Sequence, residues 1–521
     1  MNNPKKYRNM KKILITAGIL LAAVVIALAI RTVTYGFGSE RKNTAAAPAI
    51  TARPSDAALE RFAGGLRIPT VSSQDYDDTD FRPFDEFIVY LHESYPRIYE
   101  NMETSTVGKY GLLFRWKGRD DSLQPVLFLS HYDVVPVTGY DPSTDTGKET
   151  VFRPDDTPLP PISAVAETWD YPPFSGAVAE GRIYGRGSLD MKCMLFALLE
   201  SADSLISEGF RPERDIWFAF GHDEEVSGRN GALRMAEYFK DRGIRFDAVY
   251  DEGGIIAAPG SAMESIDSPL ALVGTGEKGF LTLEIEVKGL GGHSSMPPAK
   301  SSLVYAAEII EKLNSNQMKA RIIPPVASFL KNIGGETGLV SRTAIANRWL
   351  LGGILKQTLS KSPASNALIR TTTAITMAKG SDAANVLSSS AVVTVNFRIL
   401  PGDTVADVME HVREICAGYD TEITVVSQRE ASAVSPENTI GFEMIRECLT
   451  TLYPDVITTS YITVGGTDAY KYQNVSDNIY RFMPIELNGY EQRAIHSENE
   501  YISIENYGRM IDYFTDMMSR Y

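Results

Sequence analysis

The stretch DIWFAFGHDEEVSG, Asp215 to Gly228, sets the apolar run Ile216–Phe220 directly before three consecutive carboxylates, Asp223, Glu224 and Glu225. The apolar run is too short for a helix and shows no alternation, the pattern of a strand buried on both faces, as in parallel sheets. Its neighbours agree. VLFLS (Val126–Ser130) is another short apolar run, and MLFALLESADSLISEG has helical spacing between the two. Downstream, a helical segment around LRMAEYFKDRG precedes the strand FDAVYD. Strand, helix, strand in this rhythm predicts right-handed crossovers and an α/β fold whose mostly parallel sheet carries helices on both faces.

The rhythm then changes. LTLEIEVKG, Leu281–Gly289, alternates with period two, as does AVVTVNFRIL, and each is followed by a helical segment, SSLVYAAEIIEKLNS and TVADVMEHVREIC, before a last strand EITVV. A small α+β unit is therefore expected as an insertion at 279–434, splitting the first domain into 58–278 and 435–521. The body opens with ALERFAGGLRI at helical spacing, after a segment, 36–57, rich in Ala, Pro, Ser and Thr that reads as a tether.

Residues 1–35 form a basic stub and an apolar run. KKYRNMKK precedes Ile13–Ile30, eighteen residues without a charge, about the minimum for one transmembrane helix. The basic flank places the N-terminus in the cytoplasm and the body outside. A signal peptide cleaved near Ala27-Leu28-Ala29 is the competing reading, and makes the body secreted. The net charge of −15 argues against a nucleic-acid partner and against docking on anionic lipid through a basic face, leaving the N-terminal helix as the membrane contact. Three scattered cysteines exclude a disulfide framework or a thiolate zinc site, so any metal must use His and carboxylates.

Those groups sit at strand and loop ends. His131 and Asp133 follow VLFLS, Asp190 lies in YGRGSLDMK before a helix, Glu224 and Glu225 follow DIWFAF, and Asp251 and Glu252 follow FDAVY. Singly, each has a plain reading: a surface residue, a helix cap, a solvated turn. Jointly they deliver carboxylate and imidazole to one edge of one sheet, where ligands collect in doubly wound folds. Converging carboxylates repel unless cations neutralise them, and imidazole among the ligands favours zinc or a close relative.

The ordered set SHYDVVPV, WDYPPFSG, IYGRGSLDMK, GHDEEVSG, DEGG, GGHSSMPP, NFRILPGD, GGTDA and AIHSENE resembles the dizinc metallopeptidase family of carboxypeptidase S, aminoacylase, carboxypeptidase G and succinyl-diaminopimelate desuccinylase. TTTAITMAKG followed by NVLSSSAVVTVNFR is nearest the carboxypeptidase S branch, which includes N-acyl-amino-acid hydrolases. The resemblance implies two divalent metal ions, zinc in the first instance. His131 is then a ligand of one, Asp190 bridges both, Glu225 completes one shell, and Asp251 and His496 are the remaining terminal ligands. Asp133 orients His131, and Glu224 is the general base that takes a proton from water shared by the metals. The inserted unit becomes a ferredoxin-like lid. On it, His293 polarises the scissile carbonyl and Arg398 grips a substrate carboxylate, with main-chain contacts from Gly465 and Gly466. Two departures bear on substrate: extra residues within Thr138–Glu167, and Tyr470 and Lys471 after GGTDA where the family commonly has Arg or Lys and then His.

The expected function is hydrolysis of an amide next to a free carboxylate, in a short peptide or an N-acyl amino acid. A catalytically inactive peptide-binding or scaffold protein is the alternative, and a dizinc phosphoesterase a third reading without a visible phosphate cradle. Oligomeric state is left open.

Overall fold

The computed structural model describes residues 4–37, 53–138, 169–264 and 266–521. All of the stretch Thr138–Glu167 after Thr138, which holds the extra residues, and most of the 36–57 tether lie outside these. At the centre of a ten-stranded sheet, Ile216–Gly221, Val126–His131, Ala248–Asp251 and Ile479–Arg481 run parallel to one another as successive neighbours. Antiparallel pairs extend it: Gly111–Trp116 and Glu103–Val107 on one side, Leu270–Glu277 on the other. The sheet is thus mainly parallel through the part that carries the acidic strand ends.

Burial follows the pleat. Val126 and Phe128 point to one face, where the helices Lys192–Ser207 and Ile504–Ser519 pack. Leu127 and Leu129 point to the other, under the helix Ala232–Asp241 with Met235 and Phe239. Both faces being covered explains why these strands read as unbroken apolar runs.

A second, four-stranded sheet has the order Thr372–Lys379, Ser390–Ile399, Gly279–Lys288, Thr421–Arg429, all antiparallel. Leu281, Leu283, Ile285 and Val287 face the helices Ser302–Ser315 and Val405–Cys416, and the residues between them face away. The expected alternating strands are present. The strand Thr372–Lys379 was not foreseen, nor were four helices ahead of it: Pro324–Ile333, Leu339–Ala346, Arg348–Leu359 and Pro363–Ile369.

At the N-terminus, Pro4–Thr34 is one helix, and its part Lys11–Thr34 is long and apolar enough to cross a membrane.

Candidate active site

Three adjacent parallel strands end at the same edge. His131 closes its strand opposite Gly221, the last residue of the Ile216–Gly221 strand, and Ala248–Asp251 lies on the other side. Loops beyond these ends bring in Asp190, just ahead of the helix Lys192–Ser207, and His496, beyond the short turn Glu491–Ala494. The outcome is a compact set of imidazoles and carboxylates.

Asp190 is its centre. One carboxylate oxygen, Oδ1, lies 3.1 Å from His131 Nε2, which is also 3.4 Å from Glu252 Oε1. The other, Oδ2, lies 2.9 Å from His496 Nε2, which is 3.1 Å from Glu225 Oε1. The two oxygens of one carboxylate therefore serve two different imidazoles, each with a further carboxylate beside it. Glu224 offers an oxygen within 4.8 Å of the donor atoms of His131 and Glu252.

Buried residues behind the cluster support it. His131 Nδ1 is 3.0 Å from the Asp133 main-chain carbonyl and 3.3 Å from its carboxylate, which fixes the ring and leaves Nε2 facing Asp190. The Asp133 carboxylate also accepts from the main-chain N–H groups of Glu224 and Glu225, both at 3.1 Å, and from Ser72 Oγ at 2.8 Å. One buried carboxylate thus orients the imidazole and shapes the double-glutamate turn. Glu500 does the same for Asp190: its Oε1 accepts from the N–H groups of Gly187, Leu189 and Asp190, and its Oε2 from Arg186 at 2.7 Å.

The electrostatics match a site built for cations. Burial lifts Glu224 well above the usual carboxylate range, against the pull of His131, and the charges of Asp468, Glu252 and Glu225 add to the rise. Glu225 is pushed up to about 7 and Glu252 to about 8, by burial first and then by Asp190. His496 is raised to about 10 by its hydrogen bonds to Asp190 and Glu225. Four carboxylates crowded around two imidazoles in this way favour positive charge between them, and oxygen and imidazole donors without thiolate suit zinc or a similar divalent ion.

Adjacent residues leaving a strand point to opposite sides. Of the pair after FDAVY, the structure brings Glu252 to His131, and Asp251 belongs to neither metal-competent group among the described residues. Asp251 is buried with no hydrogen-bond partner on Oδ2 among the described residues, and its carboxyl is pushed up to about 7 by burial and by Asp468. Glu252 was read in the sequence as part of the acidic pair but given no role. Glu500 and Ser72 were missed altogether, since each lies far along the chain from what it supports.

The substrate-binding candidates stand apart from this cluster. His293 sits on the short ribbon Gly292–His293, exposed, with Nδ1 2.8 Å from Ser295 Oγ. Arg398 is exposed on the small sheet, opposite Phe280, which also pairs with Arg429. The Arg398 side chain makes no hydrogen bond or ion pair among the described residues; partial burial and the Arg429 charge lower its affinity for the proton. Gly465 and Gly466 are exposed after the strand Ile457–Thr463, and nothing lies within 4 Å of where a side chain on Gly465 would begin. Arg429 joins the small sheet to this turn: it stacks on Tyr470 at 4.2 Å and pairs with the buried Glu277, which also takes Arg481 Nε at 2.8 Å and Thr467 Oγ1 at 2.9 Å.

Known proteins resemble this chain in sequence and in fold. The model of peptidase family M20/M25/M40 matches residues 159–520. A probable carboxypeptidase S-like protein of Dictyostelium discoideum is 33% identical over 87% of this chain and 83% of its own. The N-fatty-acyl-amino acid synthase/hydrolase PM20D1 of Xenopus tropicalis is 31% identical over 96% of this chain and 93% of its own. In fold, the M20 family metallo-carboxypeptidase Sso-CP2 from Sulfolobus solfataricus superposes with a TM-score of 0.58 at 19% identity, over 89% of this chain and 98% of that one. None of these findings supports an inactive scaffold. With the family model spanning well over half of the chain, and relatives above 30% identity covering most of it, the protein belongs to peptidase family M20/M25/M40 and is a metal-dependent amide hydrolase.

Proposed function

We propose that the chain is a dizinc amidohydrolase that cleaves N-acyl amino acids, and that residues 279–434 act as its lid. The observation that carries the reading is the division of Asp190 between two imidazoles, which makes it the natural bridge. His131, Asp190 and Glu252 would hold one cation, and Asp190, Glu225 and His496 the other. Two divalent ions supply positive charge that polarises a carbonyl and acidifies water.

The protein's own groups do the rest. Glu224, half-buried beside His131 and Glu252 but not needed in either set of three, takes the proton of the attacking water and returns it to the amide nitrogen as the C–N bond breaks. Its raised proton affinity suits a group that must accept and then release. Asp133 keeps the His131 ring in place. His293 donates to the scissile carbonyl oxygen, Arg398 receives the substrate carboxylate as a fork, and Gly465 and Gly466 offer main-chain N–H groups free of side chains. Relatives of Xenopus tropicalis and Mus musculus named N-fatty-acyl-amino acid synthase/hydrolase match 96% and 95% of this chain, which favours a fatty-acyl over an aminoacyl group on the carbonyl side of the scissile bond. The helix Lys11–Thr34 anchors the enzyme with its basic end in the cytoplasm.

Hydrolysis of N-acyl amino acids and of dipeptides, each compared with its C-terminal amide, tests the substrate. N-acyl amino acids should be cleaved faster, and Arg398→Ala should weaken cleavage of the acids by about 1.5–3 kcal/mol in kcat/KM with little change for the amides. Equal losses on acids and amides would make Arg398 structural; preference for dipeptides would favour a carboxypeptidase.

The ligand set has its own test. Glu252→Gln should lower zinc affinity by about 10-fold or more, with excess zinc restoring activity in part. Asp251→Asn should retain both ions. Metal content by mass spectrometry after dialysis reads both, and loss of metal in Asp251→Asn alone would reverse the assignment.

A further inference from the structure

The helices Leu339–Ala346 and Arg348–Leu359 present an apolar face that no described residue covers. Leu339 is 74% exposed, Val340 85%, Trp349 63%, Leu350 48% and Ile354 60%. A soluble surface scatters such side chains singly; a cluster on one helix pair marks a contact with something apolar. The same region is basic. From Gln317 to Arg370 there are eight Lys and Arg residues and one acidic residue, Glu336, in a chain whose net charge is −15.

The position of this face is set by the N-terminal helix. Asn347, at the joint of the pair, donates from Nδ2 to Thr32 Oγ1 at 3.1 Å and to the Leu28 carbonyl at 3.2 Å. Arg31 Nε donates to the Ala346 carbonyl at 2.8 Å, and Arg348 Nη1 to Tyr35 OH at 2.8 Å. All of these contacts fall in the last two turns of the long helix or just past it. The charge-free run Ile13–Ile30 ahead of them is about 27 Å long at ~1.5 Å per residue, close to the ~30 Å of a bilayer's hydrocarbon. Arg31 therefore falls at a headgroup level, and the helix pair bonded to it lies at that same level.

We propose that Leu339–Ala346 and Arg348–Leu359 form an interfacial membrane element that rests in the leaflet beside the anchor, an inference that depends on the N-terminal helix spanning the bilayer. Val340, Leu350 and Ile354 enter the acyl boundary, Trp349 sits at the headgroup level where indole is favoured, and Arg348 and Lys356 meet headgroup phosphates. One spanning helix fixes only a point. The second contact fixes the tilt of the catalytic body against the membrane.

Trp349 is a built-in probe, because Trp116, Trp169 and Trp217 are buried, only 4%, 2% and 7% exposed. The full chain is reconstituted in vesicles of phosphatidylcholine with some phosphatidylglycerol, in which part of the lipid carries nitroxide on the acyl chain near the headgroup. Labelled lipid should quench a fraction of the tryptophan emission, aqueous iodide should fail to reach it, and Trp349→Phe should abolish the quenchable fraction. Val340→Asp with Ile354→Asp should remove lipid quenching of Trp349 while the chain still resists extraction by alkaline carbonate. A chain that resists carbonate but whose Trp349 is open to iodide and untouched by lipid would overturn the interfacial element and spare the anchor. Protection from iodide without lipid quenching would overturn it as well, by showing that a second copy or another part of the chain covers the face. Release of the wild-type chain by carbonate would remove the anchor and the proposal together.

Discussion

Glu224→Gln should lower kcat by a factor of about 10² to 10⁴ while KM and metal content stay close to wild type. The amide keeps the shape of the carboxylate but cannot accept a proton, and Glu224 lies outside both three-residue sets that share Asp190. Glu225→Gln should act differently, weakening metal binding at the His496 side, with partial recovery of activity in added zinc. The two glutamates are neighbours whose main-chain N–H groups are held by the same Asp133 carboxylate, so a disturbance of the turn would affect both alike. Opposite phenotypes therefore report chemistry. Wild-type turnover in Glu224→Gln, or an exchange of the two phenotypes, would refute the assignment of base and ligand.

The second large effect is on stability. Glu277 is fully buried and takes Arg481, itself 1% exposed, together with Arg429 and Thr467. Removing one partner of a buried ion pair leaves the other charged and desolvated, at a cost of about 3–5 kcal/mol. Glu277→Ala should thus lower the thermal unfolding midpoint by several degrees and loosen the small sheet, which Arg429 ties to the Thr467 turn through this carboxylate. Glu277→Gln, which keeps one acceptor, should lose less. Unfolding of Glu277→Ala at the wild-type temperature would mean that the network contributes nothing net to the folded state.

Much of the fold was legible in the sequence, because periodicity reports local environment. Ile216–Phe220 and Val126–Ser130 are unbroken apolar runs because helices cover both faces of the sheet they share. Leu281–Val287 alternates because only one face of the small sheet is covered. The strand Thr372–Lys379 escaped notice because most of its side chains stay exposed and alternation in TTAITMAK is weak. The helices between Ser315 and Thr372 escaped because a glycine pair and exposed apolar residues blur any helical period.

The acidic strand and loop ends are local properties, so the sequence by itself pointed to His131, Asp190 and Glu225 at one edge of one sheet, and the structure brings His496 to them from the far end of the chain. Only the tertiary structure decided which of Asp251 and Glu252 turns toward His131, since neighbouring residues carry the same charge and differ only in the side of the strand from which they leave. It alone revealed the supports. Glu500 reaches the Asp190 loop across 310 residues, and Asn347 reaches Thr32 across 315. Such contacts depend on the packing of whole elements against one another, which no window of sequence encodes, and a formal charge of −15 averaged over the chain conceals a stretch, 317–370, with eight Lys and Arg residues and one acidic residue.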